Sequence, residues 1–200
     1  QKYILPQLIG VIMKKNNIIK AATRFFASQG YDGTTTKAIS DKAGVTEPLL
    51  YYHFSGKDDI YTSILDSIFS DYFKQLEVLK KETNTIFDKI ENLFLMHFTL
   101  VKKMPNEMAL ILSPRPAKLS DPDNIYGKNT KRHKKWLKSF IGTCLKKGID
   151  SGEFNSVQIK ETTSIIMMMI NEILHKTDYK DSRAMREAII DFWRRILVSQ

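Results

Sequence analysis

The sequence predicts an all-α protein of about nine helices. Apolar residues recur at spacings of three and four along most of the chain, the period of a helix with one buried face. Helix breakers are few, with 6 prolines and 9 glycines in 200 residues. The single cysteine, Cys144, excludes an internal disulfide and fits a reducing, cytoplasmic setting.

The net charge of +9 suits an acidic partner such as nucleic acid, an anionic membrane surface or an acidic ligand. A composition favouring lysine, 24 against 7 arginines, gives the same balance without any partner. No segment approaches the ~18–20 apolar residues of a membrane span. The N-terminal "QKYILPQLIGVIM" is apolar, but it carries a central proline and no small-residue cleavage motif, so it makes a poor signal peptide. Met13 followed by "KKNN" resembles a start, and residues 1–13 are expected to form an N-terminal extension.

The first helix is expected from about Lys14 to Gln29. Ile18, Ile19, Ala22, Phe25 and Phe26 share one face, and Gly30 stops it. A short second helix starts at Thr34 or Thr35, both good N-caps, and runs through Ala43 to a break at Gly44. The third is capped by Thr46. Pro48 then lies in the first turn, where a missing N–H costs no hydrogen bond, and Val45 and Leu50 take the places of a hydrophobic staple. Ser55 or Gly56 opens a long fourth helix to about Lys80, with Asp58 and Asp59 at its positive end. Further helices are expected near 86–103, 107–112, 125–149, 156–175 and 182–198, with "SPRPAKLSDPDN" as a loop and "KKGIDSGEF" as a turn.

Two short helices meeting at Gly44, behind a longer amphipathic one, form a helix-turn-helix, whose second helix enters the DNA major groove. Corners in ordinary helical bundles mimic that spacing. The outer face of the third helix adds a second signal. With Val45, Leu50 and Phe54 inward, Glu47, Leu49, Tyr51, Tyr52 and His53 fall wholly or partly outside. Hydroxyl and imidazole groups there suit phosphate oxygens; for Tyr51 alone, roofing the core is the minority reading. Lys57, a cation at a helix N-terminus, opposes the dipole unless an anion joins it. From Lys14 to Ile60, seven basic residues exceed five acidic ones by only two, so dimerisation would be needed to multiply phosphate contacts.

The run "GYDGTTTKAISDKAGVTEPLLYYHFSGKDDIY", Gly30 to Tyr61, resembles the DNA-binding motif of the tetracycline-repressor (TetR) family of bacterial regulators. The resemblance implies an N-terminal three-helix DNA-binding domain, 14–60, followed by a helical effector-binding and dimerisation domain, 61–200. It implies a cytoplasmic homodimer on a pseudo-palindromic double-stranded operator, acting as a repressor. By position, Thr35, Thr36 and Lys37 match places contacting backbone and bases. Thr46, Glu47 and Leu49 match the base-reading face, and Tyr51, Tyr52, His53 and Lys57 match phosphate contacts. Side-chain chemistry agrees in part: Lys37 suits guanine, Glu47 cytosine N4 and Leu49 a thymine methyl. Ala38 departs from the acidic residue often found there, and Pro48 from a common glycine.

The same resemblance places dimerisation on the last two helices, about 156–175 and 182–198, whose "IIMMMINEIL" and "AIIDFWRRIL" have broad apolar faces. A small, largely apolar effector is expected in the helical core. Phe69, Phe73, Phe94, Phe98, Met108, Trp136, Phe140 and Met167 are candidates to line its pocket, with His97, Cys144, Asn171 and His175 as polar groups able to orient it. For any one of these, plain core is the stronger reading. The basic "KNTKRHKKWLK", 128–138, reads as a solvated helix face.

An enzyme is not expected. There is no glycine-rich phosphate loop, no nucleophile elbow and no metal-like spacing among His53, His97, His133 and His175, so no catalytic residue, metal or cofactor is assigned. The alternative is a helical ligand-binding or interaction protein whose helix-turn-helix no longer reads DNA. A helical adaptor on an anionic membrane is a weaker third.

Overall fold

The computed structural model describes residues 4–81, 85–112, 125–175 and 183–198. Among them the order is α1 (Ile4–Gln29), α2 (Thr36–Ala43), α3 (Glu47–His53), α4 (Lys57–Lys81), α5 (Ile86–Lys103), α6 (Pro105–Leu112), α7 (Ile125–Asp150), α8 (Ile159–His175) and α9 (Arg183–Leu197). The fold is all-α, with an isolated bridge between Phe154 and Val198. The expected loop at 113–124 lies outside the described residues. The first helix begins at Ile4, not near Lys14. Pro6 falls in its first turn, where an N–H has no intrahelical acceptor, so the helix runs through.

Two compact units emerge, residues 1–69 with 109–128, and 70–108 with 129–200. In the first, α1 packs on α2 and α3. Ile18, Ala22, Phe26, Ile39, Leu50, Phe54 and Ile60 form its core. The rings of Phe26, Tyr31 and Tyr61 meet with centroids 5.1–5.8 Å apart, one pair stacked and two edge-on. Gly30, at φ 73°, ends α1 in the left-handed conformation that glycine tolerates best.

In the second unit α5 packs on α8 and α9. Leu93, Phe94, Ile141, Leu145, Ile166, Ile170 and Trp193 are buried there. The turn after α7 is built around Phe154, whose N–H bonds the Gly148 carbonyl at 2.9 Å. A Cβ on Gly148 would come within 2.2 Å of the Phe154 ring, so the close approach requires glycine. Glu153, beside it, accepts from the Ile86 and Phe87 N–H groups at 3.2 and 2.8 Å. It thus caps α5 from 67 residues away in sequence, reinforcing the local box of Thr85 and Asp88.

Candidate functional site

The helix-turn-helix is held by two caps and one glycine. Thr35 caps α2, accepting from the Ala38 N–H at 3.1 Å. Thr46 caps α3, accepting from Leu49 at 3.4 Å, with Pro48 in the first turn. Between them Gly44 takes φ 67° and ends α2, and the Val45 N–H closes back on the Ser40 carbonyl at 3.0 Å. Leu50 and Phe54 are buried, which fixes the face that α3 turns outward.

On that face a chain of hydroxyls joins the two helices. The Thr36 hydroxyl reaches the Glu47 carboxylate at 3.5 Å and lies 3.2 Å from the Tyr51 hydroxyl. A carboxylate only accepts, so Thr36 donates to Glu47 and Tyr51 donates to Thr36. The start of α2 and the outer side of α3 thereby share one polar ladder. Tyr52 is the most exposed ring, at 75%, and Tyr51 follows at 52%. Leu49 is half-buried. Lys37 is exposed and pairs with Asp41 at 3.5 Å, a contact with both side chains mostly in solvent and so weak enough to yield to a base or phosphate.

Two side chains have internal roles that the sequence did not reveal. Lys57 donates to the Tyr31 and Thr34 carbonyls at 2.9 and 3.0 Å, with its ammonium 4.2 Å from the Tyr31 ring centroid. It ties the start of α4 to the α1–α2 loop, and one of its three N–H groups remains to serve an anion. His53 packs edge-on against Tyr52, and its Nε2 is buried without a partner among the described residues. Lys15, which sequence reasoning passed over, places its ammonium 5.3 Å over the Phe54 ring centroid. Its only sequence signal was its position on the polar side of α1.

The effector candidates divide. Phe73, Phe94, His97, Phe98, Met108, Phe140 and Cys144 are buried in the second unit, whereas Phe69 is buried in the first. Trp136 and Met167 are half-buried, and Asn171 and His175 are exposed on α8. His97 joins a relay that was not expected. Its Nδ1 lies 2.7 Å from the Leu93 carbonyl, so Nδ1 carries the proton and Nε2 accepts from the Tyr72 hydroxyl at 2.8 Å. The Tyr72 oxygen lies 2.7 Å from His133 Nε2, which therefore donates. Burial pushes both histidines down to about 4, against a backbone hydrogen bond at His97 and with the nearby Lys134 adding to the shift at His133. Burial also raises the Tyr72 hydroxyl, so all three groups are neutral.

Trp136, Phe140 and Cys144 line a cleft of about 240 Å³ with Lys80, Lys89, Ser139, Thr143 and Lys147. Burial raises the Cys144 thiol to about 11, outweighing Lys89 and Lys147, which pull it down. It is a neutral wall, not a nucleophile.

Residues 18–64 match the family model described as bacterial regulatory proteins, tetR family. Within this chain they form a DNA-binding domain of the tetR family. Like its relatives, the chain is a DNA-binding transcriptional regulator. The negative transcriptional regulator IcaR of the icaADBC biofilm operon in Staphylococcus epidermidis is 27% identical over 142 residues, covering 70% of this chain and 75% of that protein. The ketosteroid transcriptional regulator KstR2 of Mycobacterium tuberculosis shares the fold at a TM-score of 0.72 and 16% identity, over 93% of this chain and 95% of that one. AibR, solved with isovaleryl coenzyme A and operator DNA, aligns at a TM-score of 0.67 and 18% identity, over 92% and 97%. The family match covers the helices that carry the hydroxyl ladder. For the remainder of the chain, the likeness to solved structures speaks to fold alone.

Proposed function

We propose that this tetR-family regulator works as a homodimeric repressor, placing two copies of α3 in successive major grooves of a pseudo-palindromic operator. The carrying observation is the face on which Thr36, Glu47 and Tyr51 are locked together beside the exposed Lys37 and Tyr52. Thr35, Thr36, Lys37, Thr46, Glu47 and Leu49 meet bases and adjacent backbone; Tyr51, Tyr52, His53 and Lys57 meet phosphates. Ile165 and Met168 of α8 and Phe192 and Ile196 of α9 are large apolar side chains left exposed, which supports these two helices as the dimer face.

A small, largely apolar effector releases the operator. The buried aromatic and methionine side chains of the second unit favour such a ligand, and the isovaleryl coenzyme A bound by AibR makes acyl thioesters the first panel to try. Selection of bound fragments from the source genome supplies the operator, and binding is then repeated with each compound. Lys37→Ala is expected to relax sequence preference, and Tyr52→Ala to weaken binding to all fragments alike. If neither variant alters DNA binding, the helix-turn-helix does not read DNA and the protein is a helical ligand-binding module.

A further inference from the structure

We propose that the cleft among α4, α5 and α7 binds a small carboxylate with an apolar body. This deepens the effector reading of the second unit by naming a place and a chemical class.

One side of the cleft is cationic. Lys80, at its edge, is already paired with Glu77 at 2.9 Å. Lys89 and Lys147 have no carboxylate within ion-pairing distance among the described residues. Both line the cleft together with Cys144. The two oxygens of Glu153 accept from the N–H groups of Ile86 and Phe87. Two ammonium groups facing one cleft repel each other, and an anion between them converts that cost into attraction. The hydroxyls of Ser139 and Thr143, one turn apart on α7, add donors on the same side.

The floor is apolar. Phe140 and Cys144 are buried, and Phe140 stacks on Trp136 with centroids 4.7 Å apart. A bare phosphate would leave this surface unused. A long acyl chain would not fit about 240 Å³, which is below the ~300–1,000 Å³ of sites for drug-sized ligands. A single negative head on a short aliphatic or aromatic body fills both halves. Lysine ammonium groups impose no bidentate geometry, so a carboxylate can sit between them in more than one orientation.

Calorimetry on the full chain tests this, with octanoate as probe and octanol as its uncharged counterpart. Octanoate is expected to bind saturably, and octanol far more weakly. The double variant Lys89→Gln, Lys147→Gln is expected to lose roughly tenfold in octanoate affinity. Lys138→Gln, on the same helix and away from the cleft, is expected to bind as wild type. Trp136 emission should shift on binding and the shift should disappear in Trp136→Phe. Equal binding of octanol, equal loss in Lys138→Gln, or no octanoate binding at all would each overturn the proposal. The assay contains no DNA, so a failure to read an operator leaves its result intact.

Discussion

Lys57 has a structural task beside the phosphate contact proposed for it. Its two carbonyl contacts and its position over Tyr31 hold the loop between α1 and α2 against the start of α4. Lys57→Ala removes both hydrogen bonds and the ring contact, and about 1–2 kcal/mol of stability is expected to go with them. For a chain of this size that is a fall of roughly 2–8 °C in melting temperature. A lysine serving phosphate alone would leave the melting temperature unchanged. Measuring thermal unfolding beside DNA affinity therefore separates the two roles.

The buried histidines make the same point in terms of pH. His97 and His133 titrate near 6.5 in the unfolded chain but are pushed down to about 4 in the fold. Between those values the unfolded state binds more protons, so stability is full above about pH 6.5 and falls as pH drops toward 4. Each histidine contributes a slope of up to about 1.4 kcal/mol per pH unit in that window. His133→Gln keeps an N–H for the Tyr72 oxygen yet cannot titrate. Denaturant unfolding from pH 7 to pH 4.5 should show a shallower decline in this variant than in wild type. An identical decline would mean His133 does not titrate between the two states.

At the scale of elements, the stability of α5 depends on a turn far away in sequence. Glu153 caps the first turn of α5 because Phe154 anchors the turn on Gly148, its ring edge-on to Phe87 with centroids 6.5 Å apart. Arg194 of α9 sits over the other partner, 4.3 Å from the Phe87 centroid, and pairs with Glu91 at 2.8 Å. Glu153→Ala is expected to cost about 0.5–2 kcal/mol as a lost cap. Gly148→Ala is expected to cost about 1–3 kcal/mol, because the Phe154 ring must move and carries the turn with it. Thermal unfolding of both variants checks the order, and a neutral Gly148→Ala would show that the turn adapts. The Thr46 cap and the first-turn proline of α3 could be read from "GVTEPLL" because such features are local. The Glu153 cap could not, since nothing in "SGEF" names its partner.

For the whole molecule, the proposed dimer is the quantity that would decide operator binding. The DNA-binding segment carries little net charge, and one copy offers few phosphate contacts. Phe192→Lys, on the exposed face of α9, is expected to shift sedimentation from dimer to monomer and to weaken operator binding with it. A dimer that persists unchanged would move the interface elsewhere.

Periodicity and local chemistry by themselves determined the all-α class, most helix boundaries and the helix-turn-helix, because caps, prolines and left-handed glycines act within a few residues. They missed the start of α1 at Ile4, inside a segment expected to be an N-terminal extension; its proline stands in the first helical turn, where it interrupts nothing. Tertiary structure alone decided which polar groups meet. Lys57 reaches back 26 residues to Tyr31, and Tyr72 joins His97 and His133 across 25 and 61 residues. It also decided that Lys89 and Lys147 share one floor while Asn171 and His175 stay in solvent. Helical periodicity shows which side of a helix is buried. Which other helix faces it depends on packing between segments remote in sequence, and the spacing of residues along the chain carries no trace of that.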